Sequence, residues 1–179
     1  MAMVCFLSGC TSENSALKQG MEIRARLLEA QGCSFKVRIT ADYGEDLYTF
    51  SVGCEGDRNG TITFQVSEPE ALSGITGKLS DTGGVLTFDE TALSFPYLTD
   101  DQLNPVSAPW IFLKTLRSGY LTSACEEDGN LRLSIDDSYE EDALHLDIWM
   151  DEDRVPIRAD ILYDGKRILS LEITDFQFL

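Results

Sequence analysis

Residues 33–54 read Cys33-Ser34-Phe35-Lys36-Val37-Arg38-Ile39-Thr40-Ala41-Asp42-Tyr43-Gly44-Glu45-Asp46-Leu47-Tyr48-Thr49-Phe50-Ser51-Val52-Gly53-Cys54. Apolar side chains take every second position on both sides of a polar centre: Cys33, Phe35, Val37 and Ile39 before it, Tyr48, Phe50, Val52 and Cys54 after it. Successive side chains of a strand point to opposite faces, so each run predicts a half-buried strand. Ala41 to Asp46, with its Gly and Asp residues, predicts the turn that joins them. Superposing the two apolar faces sets Ile39 against Tyr48, Val37 against Phe50, Phe35 against Val52 and Cys33 against Cys54. Directly opposed Cβ atoms lie ~4.5–5.5 Å apart, close to disulfide range. A bridge closing this loop would contribute about 3 kcal/mol. The spacing leaves two states open, a Cys33–Cys54 bridge or two buried free thiols.

The same pattern continues outward from the hairpin. A turn at 55–60 precedes a strand at 62–66; residues 68–72 break the alternation; short strands follow at 75–79, 85–89 and 92–97. Upstream, Ala16, Leu17, Met21, Ile23, Leu27 and Leu28 recur at helical spacing over 16–30, with Gly20 a weak point and Gly32 a stop. Downstream, Ser107 is the expected N-cap of a central helix with Pro109 early, an apolar stripe of Trp110, Ile111, Leu113 and Leu116, and Gly119 as its end. Strands resume at 120–125, 131–135, 144–150, 156–163 and 168–173, the last two joined by Asp164-Gly165, a strong hairpin signal. Cys125 reads as a small core residue. Nine or ten short strands joined by tight polar turns mean an antiparallel meander, an α+β and mainly β fold, and not a parallel α/β sheet.

The 179 residues suffice for one domain. With 31 acidic against 14 basic residues the formal charge is −17, which repels nucleic acid and anionic lipid headgroups. No stretch approaches the ~20 apolar residues of a membrane-spanning helix. At the front, an apolar run, Ala2 to Leu7, leads into Leu7-Ser8-Gly9-Cys10 and then the polar Thr11-Ser12-Glu13-Asn14-Ser15. Leu7 to Cys10 resembles the bacterial lipobox, and the resemblance implies cleavage before Cys10, lipidation of Cys10 and anchorage to the outer side of a bacterial membrane. The expected division is a remnant signal peptide at 1–9, a lipidated Cys and polar tether at 10–17, and a single β-rich domain at 18–179. No base precedes Lys18 and the apolar run has six residues, short of the usual ~7–15, so the expectation is that the signal is truncated at its front.

The order helix, strand pair, further strands, central helix and closing strands is similar to that of the bacterial lipoprotein-carrier (LolA-like) superfamily. Val155-Pro156-Ile157-Arg158-Ala159-Asp160, Asp164-Gly165 and Ile168–Phe176 resemble its closing hairpin. The resemblance implies an open half-barrel: a curved antiparallel sheet with an N-terminal and a central helix over its concave face and acyl chains held between. Trp110, Phe112, Leu113 and Leu116 on the helix and Phe35, Val37, Phe50, Val52, Phe64 and Phe88 on the sheet would then line the cavity. The alternative is that the same side chains fill a closed core, giving a structural or interaction lipoprotein of the envelope. The superfamily's buried arginine is not identifiable here, so carrier activity is not implied.

Catalytic chemistry is not expected. His145 is the single histidine, so no His-based metal set can form, and no nucleophile-elbow motif accompanies it. The acidic turns 136–142 and 151–153 lack EF-hand spacing and read as solvated connections. No enzyme activity, cofactor, metal or nucleic-acid partner follows from the sequence. The expected partners are a membrane, through Cys10, and a lipophilic ligand or an envelope protein.

Overall fold

The computed structural model describes residues 10–99, 102–140 and 143–179. The expected signal remnant, 1–9, lies outside the described residues. Eleven strands form one antiparallel sheet, open at both ends. In chain order these are β1 (Gly32–Asp42), β2 (Leu47–Asp57), β3 (Ile62–Glu68), β4 (Thr76–Ser80), β5 (Gly83–Phe88), β6 (Thr91–Phe95), then β9 (Tyr120–Glu127), β10 (Asn130–Asp136), β11 (His145–Met150), β12 (Pro156–Tyr163) and β13 (Lys166–Phe178). Between the two groups, β7 (Leu98–Thr99) and β8 (Gln102–Leu103) pair as a small ribbon. The spatial order is β6-β5-β4-β3-β2-β1-β13-β12-β11-β10-β9, so the chain starts in the middle, meanders to one edge, crosses to the other and meanders back. The architecture is the expected one: mainly β, a curved half-barrel that does not close, with two helices, α1 (Cys10–Glu29) and α2 (Ala108–Ser118).

The register of the opening hairpin differs from the expected one by two residues. Phe35 pairs with Cys54, Val37 with Val52, Ile39 with Phe50, and Cys33 with Gly56. Ala41 and Asp42 belong to β1 and pair with Tyr48 and Leu47, so the turn is Tyr43–Asp46 and each strand is longer than its periodic core. Ala41 is fully buried, and that burial is what draws the last residues of β1 into the sheet. A slip of two keeps every side chain on its own face. Cys33 and Cys54 are therefore not opposed, and both thiols are free and buried. Burial pushes the Cys33 thiol up to about 11 and that of Cys54 higher still, which suppresses the thiolate that oxidation needs. Cys125 is exposed, with Ala124 taking the core-facing position in β9.

Helix α1 starts at Cys10, so the stretch expected as a tether is helical backbone. Its buried line is Ala16, Gly20, Ile23 and Leu27, while Met21 and Leu28 are exposed. Gly20 is a point of contact and not a defect: a Cβ there would stand 2.9 Å from a Leu133 methyl. The helix thus lies directly on β9 and β10. Ser107 is the N-cap residue of α2, as expected, but its side chain makes no cap bond; the side-chain cap is that of Asn104, which accepts from the Val106 N–H at 3.1 Å and opens the single 3-10 turn, Pro105–Ser107, that leads into α2. Gly119 ends α2 as expected. The Arg24 side chain donates to the Leu116 carbonyl at 2.9 Å, joining α1 to the otherwise orphaned C-terminus of α2.

Candidate binding face

Among the described residues, the side chains between α2 and the sheet pack against one another. Phe112 is fully buried, its ring edge-on to Phe35 at 5.8 Å, and Phe35 stacks on Phe176 at 5.6 Å. Leu113 and Leu116 are buried with it, as are Val37, Val52, Cys54 and Phe64 beneath. Leu113 lies over Gly56, where a Cβ would approach it to 2.7 Å. Trp110, at the start of the helix, is half-buried against Tyr97 at 4.6 Å, with the Lys114 ammonium 5.2 Å from its ring. Of the ten expected lining residues, Phe35, Val37, Val52, Phe64, Phe112, Leu113 and Leu116 are thus brought together as packed core. Phe50 is half-buried, and Phe88, 58% exposed near the sheet's edge, is apart from them.

Ladder rows show where the cover ends. From β1 toward β9, Ile39, Leu171, Ala159, Ile148, Leu133 and Ala124 are successive cross-strand partners, and none is more than 1% exposed. From β1 toward β6 the row is Phe35, Cys54, Phe64, Gly77, Leu86 and Leu93. Its first three members are buried, Gly77 and Leu86 are partly exposed, and Leu93 is 63% exposed. Both rows are on the concave side, as alternation requires. Phe50 and Ile75, both half-buried, and the exposed Tyr48 and Phe88 take the same parity at the uncovered end. This apolar surface is continuous with the core, and among the described residues Tyr48, Phe88 and Leu93 on it are exposed.

The convex face is polar and has two features of its own. A groove of about 700 Å³ crosses β1–β5 and the end of β13; Lys36, Glu55, Gln65, Lys78, Asp175 and Gln177 border it, and Gly53 leaves its floor bare. Lys36 and Asp175 pair across it at 2.9 Å. On β10–β12, Asp147 accepts from Ser134 at 2.7 Å and from both arms of Arg132 at 2.7 and 3.2 Å. Burial works against the Asp147 charge, but the Arg132 and Ser134 bonds and the Arg132 and His145 charges outweigh it and hold the carboxyl below its ordinary value. His145 stands between Asp136, at 2.7 Å, and Asp147, at 3.5 Å. Asp160, paired in register with Asp147, is held by Arg158 at 2.6 Å. Alternation over 144–148 puts His145 and Asp147 on one face, and cross-strand partners far apart in sequence complete the cluster.

The acidic turns serve their own backbone. Asp151 accepts from the N–H groups of Asp153 and Val155, Asp57 from those of Asn59 and Thr61, and Asp137 from that of Leu144. Such side-chain turns give these three aspartates a structural role at strand connections. Among the described residues no group of three or more His, Cys, Asp or Glu is arranged to hold a metal, and no helix is long and apolar enough to cross a membrane.

No known protein-family profile matches the chain, and no curated protein matches its sequence. Solved structures of similar shape include a LolA superfamily protein from Nitrosomonas europaea, with a TM-score of 0.48 and 9% identity, covering 95% of this chain and 94% of that one. The Mycobacterium tuberculosis lipoprotein LppX has a TM-score of 0.43 and 13% identity, covering 90% and 93%. A DUF1329 family protein from Desulfovibrio piger has a TM-score of 0.47 and 10% identity over 93% of each chain.

Proposed function

We propose that this chain is an extracytoplasmic lipoprotein, anchored to a bacterial membrane through Cys10, that binds a lipophilic ligand on the uncovered end of its concave face. The observation that carries the reading is the ladder row Phe64–Gly77–Leu86–Leu93, which runs out of the core into solvent without changing its apolar character. An apolar surface left open beside a core is where an acyl chain or similar molecule gains most from leaving water. Seating a ligand there needs no displacement of Phe112 or Leu113. Native mass spectrometry of the chain purified from a bacterial host is the test. A bound lipophile, reduced when Leu86→Glu places a charge in the row, is the expected result; an unliganded mass throughout would sink the ligand claim. Metabolic labelling with a fatty-acid analogue tests the anchor, and labelling that survives Cys10→Ala would overturn it.

A second reading, an envelope lipoprotein that meets protein partners through its surface, is favoured by the solid packing between α2 and the sheet. It predicts no small-molecule adduct.

A further inference from the structure

Most glycines inside the strands of this sheet have a steric or conformational reason. A Cβ on Gly32 would run into the Gly56 carbonyl, one on Gly56 into Leu113, one on Gly77 into Phe64 and one on Gly84 into Phe95. Gly83 has a φ of 120°, which favours glycine. Gly53, midway along β2, has neither reason. Its φ is not positive, and beyond its chain neighbours no heavy atom lies within 4 Å of where a Cβ would stand. Glycine in a strand interior weakens the strand, and such a position often marks close approach by a ligand. Gly53 is at the floor of the groove of about 700 Å³ on the convex face.

We propose that this groove binds a neutral saccharide, with one pyranose ring lying flat on the bare backbone at Gly53. Lys36, Gly53 and Gln65 are successive cross-strand partners, so the stems on either side of the gap stand ~9–10 Å apart, room for one six-membered ring. Glu55 follows two residues on along β2 and shares the same face. Asp175 reaches the site through a bulge: Asp175 and Phe176 of β13 together stand opposite Phe35, and Asp175 takes a φ of 53°. Phe176 thereby stacks on Phe35 in the core, and the Asp175 carboxylate comes to the Lys36 ammonium at 2.9 Å. The backbone of β2 is taken up by its ladders with β1 and β3, so side chains must do the recognition. Their chemistry selects hydroxyl groups. The charged lining is Lys36 and Lys78 against Glu55 and Asp175, which cancel, so neither cations nor anions gain from the groove as a whole. The protein's charge of −17 is likewise indifferent to an uncharged ligand. Of the apolar lining, Phe35, Cys54 and Phe64 are buried in the opposite face and only Val85 is exposed, so a lipophile has little to cover. Ammonium donors, carboxylate acceptors and the Gln65 amide, which does both, match neighbouring hydroxyls that each donate and accept. The inference stands on the convex face and is independent of the lipophile reading of the concave one.

Amide NMR spectra of the full 179-residue chain, produced without lipidation, test this with neutral tetrasaccharides of β-1,4-linked glucose, β-1,4-linked N-acetylglucosamine, α-1,4-linked glucose and α-1,6-linked mannose. Each is added to about 10 mM, because a groove open on one side covers too little of a sugar for tight binding. At least one should shift resonances within 34–36, 53–55, 63–65, 76–78 and 175–177 and leave α1 and α2 unmoved. Tetragalacturonate, the charged control, should bind no more tightly. Gly53→Val fills the floor. It should weaken the sugar about tenfold or more while the melting temperature holds or rises, because a β-branched residue suits an uncrowded strand position. Gln65→Ala should weaken it about fivefold, the loss of one hydrogen bond, with an unchanged circular dichroism spectrum; this variant decides the matter if Gly53→Val does not fold. The proposal is overturned if none of the neutral sugars shifts these resonances, if the shifts lie elsewhere, or if only galacturonate binds. It is equally overturned if folded Gly53→Val or Gln65→Ala binds like the wild type.

Discussion

The two halves of this sheet have the same ingredients and different fates. From β1 toward β9 the concave row from Ile39 to Ala124 is sealed, and even the convex face contains buried polar groups at Ser134, Asp147 and Asp160. From β1 toward β6 burial falls strand by strand until β6 has almost none. The residues are not less apolar: Leu86 and Leu93 are as hydrophobic as Leu133 and Leu171. The difference is the second layer. Helix α1 lies on β9 and β10, and α2 reaches from β12 to Phe35 and Gly56, whereas Phe88 on β5 and Leu93 on β6 stand largely in solvent. A sheet face is core only where something covers it.

Phe112→Ala probes this contrast with the largest expected effect. The ring is fully buried at the meeting of α2 with β1 and β13, so its loss should destabilise the fold by about 3–5 kcal/mol in urea unfolding. A loss below 1 kcal/mol would mean that the interior yields, and that α2 is no stronger a cover than the solvent over Leu93.

Asp147→Asn tests the convex side of the sealed half. Removing the charge that Arg132 and Ser134 hold should cost about 2 kcal/mol at neutral pH, since Arg132 is partly exposed and can turn to water. The sign with pH follows from the lowered pKa. The contribution of Asp147 is fully present above its ordinary unfolded value of about 3.9, and is lost as the pH falls below that value through the depressed folded one. Wild-type stability should therefore drop more steeply than that of Asp147→Asn in acid-denaturation curves below this pH. Parallel curves would remove Asp147 from the account.

Gly77→Ala addresses the sparse half and should act locally. A Cβ there runs into the Phe64 ring and comes within 2.7 Å of the Val85 carbonyl, so β4 and β5 must separate at a cost of about 1–2 kcal/mol. Amide exchange should quicken over residues 76–95 while residues 131–173 keep wild-type protection. Uniform loss of protection would show that the halves unfold as one unit, and the contrast between them would be structural only.

Much of the architecture was legible because alternation is a local property. The strand positions, the helix stripe Ile111–Leu113–Leu116 and the stop at Gly119 all follow from side-chain period and backbone chemistry. Pairing distances were less so. The six-residue turn inferred from Ala41 to Asp46 satisfied every polar and apolar preference, and a slip of two satisfied them equally, so the Cys33–Cys54 opposition had no independent support. Gly20 shows the same limit from the helical side: propensity marks it as a fault, and only the nearness of Leu133 turns it into an approach point. The binding face was legible only in part. Phe88 and Phe112 have equal claims as aromatic residues at regular spacing, yet one is in water and the other at the centre of the core.

What the sequence by itself determined is which side chains share a face, where the chain turns, and that the result is an antiparallel mainly β domain with two helices. These follow from the period-two pleat and the preferences of each residue for its own backbone. The tertiary structure alone decided the register, the free state of the two buried thiols, and which stretch of concave face lacks a cover. Those depend on distances between segments that the chain brings together from far apart, and a local pattern constrains the direction of a side chain but not what stands opposite it.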